Sequence, residues 1–243
     1  MVSEYLIASI IIATAGGVIR GITGFGGSLV MTPALSIMFE PKLVIPTVLV
    51  LEAFVAAPTL IDAVRKVRFK GLKVIAPICA AAFITVPLGG YLLANTQPQM
   101  LRRWIGGIVV LFSVMLLKNV RYSGPRRLGT SVALGAISGV LLGGTGIGGP
   151  PIILYLLSGP DSIEETRANL MLCVTAISIA ALAMLWSRSM LSFGGPVSVL
   201  VLGPCFYAGI MLGTHFFRGF SEQRFRQFTL LLLIAVSMVI LFV

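Results

Sequence analysis

Two glycine-rich runs inside apolar sequence carry the residue types and spacing that could do chemistry. They are Arg20-Gly21-Ile22-Thr23-Gly24-Phe25-Gly26-Gly27-Ser28 and Gly143-Gly144-Thr145-Gly146-Ile147-Gly148-Gly149-Pro150. Four glycines of the first run fall on glycines of the second at a constant offset of 122 residues, and Thr23 falls on Thr145. Glycine lowers helix propensity, so each run predicts a break in a helix. The half-helix that follows a break opens with amides that have no intrahelical carbonyl partner, and its dipole is positive at that end. Around Gly26, Gly27 and Ser28, and around Gly148 and Gly149, such donors suit an anion, and the hydroxyls of Thr23, Thr145 and Ser28 add to them. The alternative is that these glycines serve only close helix packing or a kink. Paired breaks at corresponding positions of two repeats favour the binding reading.

The elements that must hold these runs are membrane spans. Of 243 residues, 57% are hydrophobic and 11% charged, with mean hydropathy +1.03. A soluble domain carries about 25% charged residues, so this chain lacks the polar surface of a globule and reads as an integral membrane protein with no separate soluble domain. The net charge of +10 resides in short loops beside apolar spans, where membrane topology accounts for it and a nucleic-acid partner is not required. Cys79, Cys173 and Cys205 form no CxxC pair and read as small core residues, so neither a disulfide nor a metal framework is expected, and no cofactor. Residues 1–19 contain no Lys or Arg, so a cleaved signal peptide is not expected there. Short basic loops fit a bacterial inner membrane.

Apolar runs at 5–19 and 28–39 flank the first glycine stretch, and neither run alone comfortably covers the ~30 Å of hydrocarbon. Spans are predicted at 43–62, 74–94 and 104–117. The second half repeats the plan, with 128–142 and 150–158 around its glycine stretch and spans near 168–187, 195–217 and 226–243. Its later part aligns at an offset of 124, pairing Leu88-Gly89 with Leu212-Gly213 and Arg102 with Arg226. The expected fold is therefore an all-α helical bundle of two duplicated units in a single transmembrane domain. Repeat one covers 5–117, a cytoplasmic basic linker 118–127, and repeat two 128–243.

Each interrupted element either crosses the membrane or returns as a hairpin to the side it came from. Crossing makes the two copies parallel and puts 10 Lys and Arg inside against 7 outside; a hairpin makes them inverted repeats, with 13 inside and 4 outside, and Arg20 lies in the membrane in both schemes. The positive-inside rule favours the inverted arrangement, in which the two hairpin tips enter from opposite faces and meet near the midplane.

Glu52 is the only acidic residue far from a predicted interface, so it is expected to pair, face water or carry a proton. Arg20, at the end of the first half-helix, is placed to contact an anion or to neutralise Glu52, and a static ion pair between them is the structural alternative. Thr47 and Asn169 are equivalent under the 122 offset and either donate to the site or join helices. His215 reads as structural or interfacial, Trp104 and Trp186 as interfacial anchors, and Asp62, Asp161, Glu164 and Glu165 as solvated charge.

The chain resembles the TauE/SafE sulfite exporters, also called TSUP permeases. The resemblance covers nearly the whole chain and rests on the duplicated module with its breaks, Gly24-Phe25-Gly26-Gly27-Ser28 followed by Pro33, and Gly146-Ile147-Gly148-Gly149-Pro150. The family often has a third glycine where this chain has Ser28 and Pro150. The resemblance implies a bacterial inner-membrane permease, often an exporter, for sulfite, organosulfonates or similar small sulfur oxyanions. The residues expected to bind the anion are Arg20, Thr23, Gly24, Phe25, Gly26, Gly27, Ser28, Thr47, Gly144, Thr145, Gly146, Ile147, Gly148, Gly149, Pro150 and Asn169, with Glu52 the candidate for proton coupling. Coupling to an ion gradient or simple facilitated export is expected rather than ATP, since no nucleotide-binding motif is present. An anion channel is the competing function. An intramembrane enzyme is disfavoured, because the single histidine has no tie to Ser28.

Overall fold

The computed structural model describes residues 2–23, 26–66, 69–118, 120, 122, 124, 126–156, 158, 163–187 and 198–216, and beyond these Ile234, Ser237, Met238 and Ile240. Every element among them is helical: α1 (Val2–Thr23), α2 (Gly27–Met38), α3 (Pro41–Lys66), α4 (Phe69–Asn95), α5 (Pro98–Leu117), α6 (Leu128–Thr145), α7 (Gly149–Leu156), α8 (Ile163–Ser187) and α9 (Val199–Phe216). Five of the described helices contain stretches long and apolar enough to cross a membrane, namely Glu4–Ile22, Gly71–Asn95, Pro98–Leu117, Leu128–Thr145 and Ala168–Ser187. Most of the span expected at 226–243 lies outside the described residues, as does the loop at 188–197.

The helices run past the apolar stretches that announced them. α1 continues through Arg20 and Gly21 to Thr23, and its 22 residues span about 33 Å rather than stopping at residue 19. The reason is that a polar backbone in apolar surroundings keeps its hydrogen bonds, so one glycine does not end a helix there. α5 starts at Pro98, whose missing N–H is no loss at a first helical position, so the helix begins six residues before the predicted span.

Both glycine runs fold the chain back on itself. Gly26 takes φ 90° and caps the start of α2, and Gly146 takes φ 71° and caps the end of α6. In an uninterrupted helix Gly16 and Met31 would stand about 22 Å apart. Instead, a Cβ placed on Gly16 would lie 2.7 Å from Met31 Cγ, and the Tyr5 ring meets Phe39 edge-on at 6.0 Å, so α2 returns along α1. Likewise α7 returns along α6: the Ser131 and Tyr155 hydroxyls are 2.9 Å apart, although 24 residues separate them. Each element is thus a helical hairpin with a long arm, α1 or α6, and a short arm of 12 or 8 residues, α2 or α7.

The helices group into two compact units that do not follow the sequence halves. The first contains α1, α2, α3 up to Leu51, α5 and α9; the second contains the rest of α3, α4, α6, α7 and α8. In the first, Gly17 of α1 packs on Phe206 and Gly209 of α9, and Gly21 on Ile210 and Gly213. In the second, Gly139 of α6 packs on Ala82 of α4, and Gly143 on Val86 and Gly89. Under the 122 and 124 offsets these are the same contacts, so each long arm packs on the second span of the other half. Glycine is required because the opposing backbones approach where a Cβ would stand, which is how helices gain contact in lipid without a hydrophobic driving force.

In the second unit α4 also packs on α8. Gly71 meets Asn169, Cys79 meets Cys173 and Gly90 meets Met184. The partners advance together along both helices, so α4 and α8 run parallel.

Candidate anion site at the glycine hairpins

In the first unit the tip is built by the left-handed Gly26 and the buried Gly27, with Ser28 half-buried behind them. The first i→i−4 bond of α2 is donated by Val30 to the Gly26 carbonyl at 3.3 Å, so the amides of Gly27 and Leu29 precede the helical ladder. Four residues after Ser28, and so on its face of α2, Thr32 is fully buried and its hydroxyl has no hydrogen bond among the described residues. Gly24 and Phe25 lie outside the described residues, and the Thr23 side chain does too.

The tip in the second unit is tighter and poorer in donors. Gly144, Thr145, Gly146, Ile147, Gly148 and Pro150 are all buried. The Gly146 amide donates to Leu142 O at 2.9 Å, closing α6. A Cβ on Gly148 would stand 2.6 Å from Leu142 Cβ and 2.7 Å from Ser138 O, so the arms leave room only for hydrogen there. Pro150 and Pro151 follow Gly149 in the first turn of α7 and have no N–H, so of the three positions equivalent to Gly27, Ser28 and Leu29 of α2 only Gly149 carries an amide proton.

The expected hydroxyls are largely committed. Thr145 donates to Leu141 O at 2.7 Å and Thr47 to Leu43 O at 2.9 Å, each within its own helix. Asn169 is buried against Gly71 in the first turn of α4. It lies about 7 Å along α8 from Val174, the residue nearest Gly149 on that helix. Sequence reasoning did not single out Ser138, which is fully buried, has an uncommitted hydroxyl among the described residues, and belongs to the turn of α6 against Gly148. Its signal was only a serine opposite a glycine across a hairpin, legible once the hairpin's register is known.

Arg20 lies in the last turn of α1 and is 7% exposed, and Glu52 in α3 is 4% exposed. Their burial agrees with a place inside the bundle. His215 is exposed in the last turn of α9, and Trp186 is exposed in the last turn of α8.

An arginine holds the far end of each short arm. Arg102 Nε donates to Ser36 O at 2.8 Å, and Arg126 Nη2 donates to Leu156 O at 2.9 Å. A cation at the C-terminus of a helix whose N-terminus forms the tip favours the same dipole that favours an anion at the tip. Around Arg126 the base of the second hairpin is closed further. Its guanidinium lies 5.5 Å from the Tyr155 ring centre, Tyr122 and Tyr155 rings stand 5.4 Å apart, and the Tyr122 amide donates to Ser158 Oγ at 2.7 Å. In the sequence Arg126 reads only as loop charge. Arg126→Ala is expected to destabilise the folded protein by about 1.5–3 kcal/mol, the range for a hydrogen bond to a charged donor, seen as a lower midpoint in thermal unfolding of detergent-solubilised protein. An unchanged midpoint would remove the clamp.

Long apolar helices, packed through glycine faces and carrying two glycine-tipped hairpins, define a multi-pass helical membrane protein. The family model described as Sulfite exporter TauE/SafE matches residues 9–240, and the chain belongs to that family, whose members are membrane transporters and not enzymes. No curated protein and no solved structure matches the chain. A small anion as substrate and the bilayer as surroundings both fit this membership.

Proposed function

We propose that the protein is a secondary transporter that exports small sulfur oxyanions, sulfite or organosulfonates, across a bacterial cytoplasmic membrane. The observation that carries this is the repeated hairpin, with a left-handed glycine at each tip and a short helix opening there, in a chain of the sulfite-exporter family. At the first tip the donors are the amides of Gly27 and Leu29 with the Thr32 hydroxyl, and at the second the Gly149 amide with the Ser138 hydroxyl. Arg20 supplies positive charge at the end of α1, and Glu52 carries the coupled proton. The inverted arrangement of the two repeats accounts for the charge bias of the loops.

The test is uptake of labelled sulfite, sulfoacetate, taurine, thiosulfate and sulfate into proteoliposomes, with and without an imposed pH gradient. Saturable flux and counterflow of one sulfur anion are expected. Unitary currents in place of counterflow would make the protein a channel, and no flux of any of these anions would reject the substrate class.

A further inference from the structure

Cys79 on α4 and Cys173 on α8 place their sulfurs 3.4 Å apart inside the second unit. Each is about 15 Å from the start of its helix, and the two helices run parallel, so the thiols meet at one depth. Both are free, with Cys79 partly exposed and Cys173 fully buried.

The same contact exists in the first unit without sulfur. Under the 124 and 122 offsets Cys79 corresponds to Gly203 and Cys173 to Leu51, and a Cβ on Gly203 would lie 3.8 Å from Leu51 Cδ2. A glycine and a leucine therefore suffice to pack this crossing. Two thiols at the duplicate position add nothing that packing needs, and they add one reaction that the Gly–Leu pair lacks.

We propose that Cys79 and Cys173 form a reversible redox site, in which a hydroperoxide oxidises the pair to a disulfide that locks α4 to α8. The Cys79 sulfur, the less buried of the two, attacks the peroxide O–O bond, takes one oxygen as a sulfenic acid and releases water. The Cys173 sulfur then displaces that oxygen as a second water and the S–S bond forms. In sum two thiols lose two electrons and two protons, and one hydrogen peroxide becomes two waters. The sulfurs must close from 3.4 Å to the bonding distance of about 2.05 Å, a movement within reach of side-chain rotation. Hydrogen peroxide is small and uncharged, so it can reach a thiol that a charged oxidant would not. The bond ties α8 to the helix against which the long arm α6 packs, so a locked pair holds one hairpin's support in a single arrangement.

The bond itself does not depend on the transport reading, whereas its effect on flux does, so the two are measured separately. Full-length protein in proteoliposomes is treated with hydrogen peroxide, denatured, and labelled with a maleimide mass tag. The reduced chain is expected to take three tags and the oxidised chain one, on Cys205, with three restored by dithiothreitol. Cys173→Ser, treated the same way, should form no dithiothreitol-reversible bond within the chain. Sulfite flux should fall with the tag number and recover with it in the parent, and stay constant in Cys173→Ser. Three tags after peroxide would overturn the site, and the same flux loss in Cys173→Ser would overturn its control of transport. One tag with unchanged flux would overturn its control of transport, and a parent with no flux before oxidation would fail the transport reading while the tag count still decides the bond.

Discussion

Gly26→Val is expected to lower sulfite flux about 5- to 150-fold while the protein still inserts and purifies as a folded species. The φ of 90° at Gly26 is a left-handed conformation that a β-branched residue adopts only at a cost of about 1–3 kcal/mol, and about 1.4 kcal/mol corresponds to a factor of ten. Helices α1 and α2 on either side keep their hydrogen bonds and their packing, so the strain falls on the tip, where the amides of Gly27 and Leu29 are aimed. Gly26→Asn provides the discriminating control, because asparagine enters the left-handed region more readily than other residues and Gly26 is only half-buried. It should retain most of the flux. Equal flux in the valine variant and the parent would mean that the tip geometry does not hold the anion. Equal loss in both variants would point to the absence of a side chain, rather than the backbone conformation, as what the tip needs.

The second large effect is expected at Glu52. With an imposed gradient of two pH units, coupling to one proton supports an accumulation ratio of about a hundredfold, since each unit is worth about 1.4 kcal/mol. In Glu52→Gln the ratio should collapse to about one, while exchange of labelled for unlabelled sulfite without a gradient persists. The reasoning is that Glu52 is 4% exposed, twelve residues into a helix of 26, where a carboxylate is retained only for a partner or a proton. Glutamine keeps the shape and hydrogen bonding but cannot release a proton. Accumulation unchanged in the variant would reject the coupling role; loss of exchange together with accumulation would instead assign Glu52 to holding the bundle.

The asymmetry between the two tips gives these experiments a direction. The first tip offers more backbone donors, because Pro150 and Pro151 remove two from the second. On the proposed function the first tip therefore carries more of the anion's recognition, while at the second Gly148 is pressed between Leu142 and Ser138.

Much of this was legible in the residues alone. Composition settled the membrane class, since a chain with 11% charged residues has no surface for water. The 122-residue echo located both breaks, although the left-handed glycines, Gly26 and Gly146, are not its equivalent positions: one caps the start of the short arm α2 and the other the end of the long arm α6. The nine helices among the described residues followed from apolar length, with ends that erred by a few residues because hydrogen-bonded backbone outlasts the apolar run.

Tertiary structure decided what local sequence does not encode. Whether a glycine run kinks a helix or reverses it depends on what the returning arm finds to pack on, and only the Tyr5–Phe39 and Ser131–Tyr155 contacts show the reversal. Which hydroxyls remain available is likewise a matter of neighbours: Thr145 and Thr47 turn to their own helix carbonyls, while Thr32 and Ser138 do not. The exchange of spans between halves, α1 on α9 and α6 on α4, and the meeting of Cys79 with Cys173 across 94 residues, are long-range contacts. A repeat offset names equivalent positions; it does not say which copy's helix a given glycine face will meet, because both copies present the same face and only packing of the whole chain selects the partner.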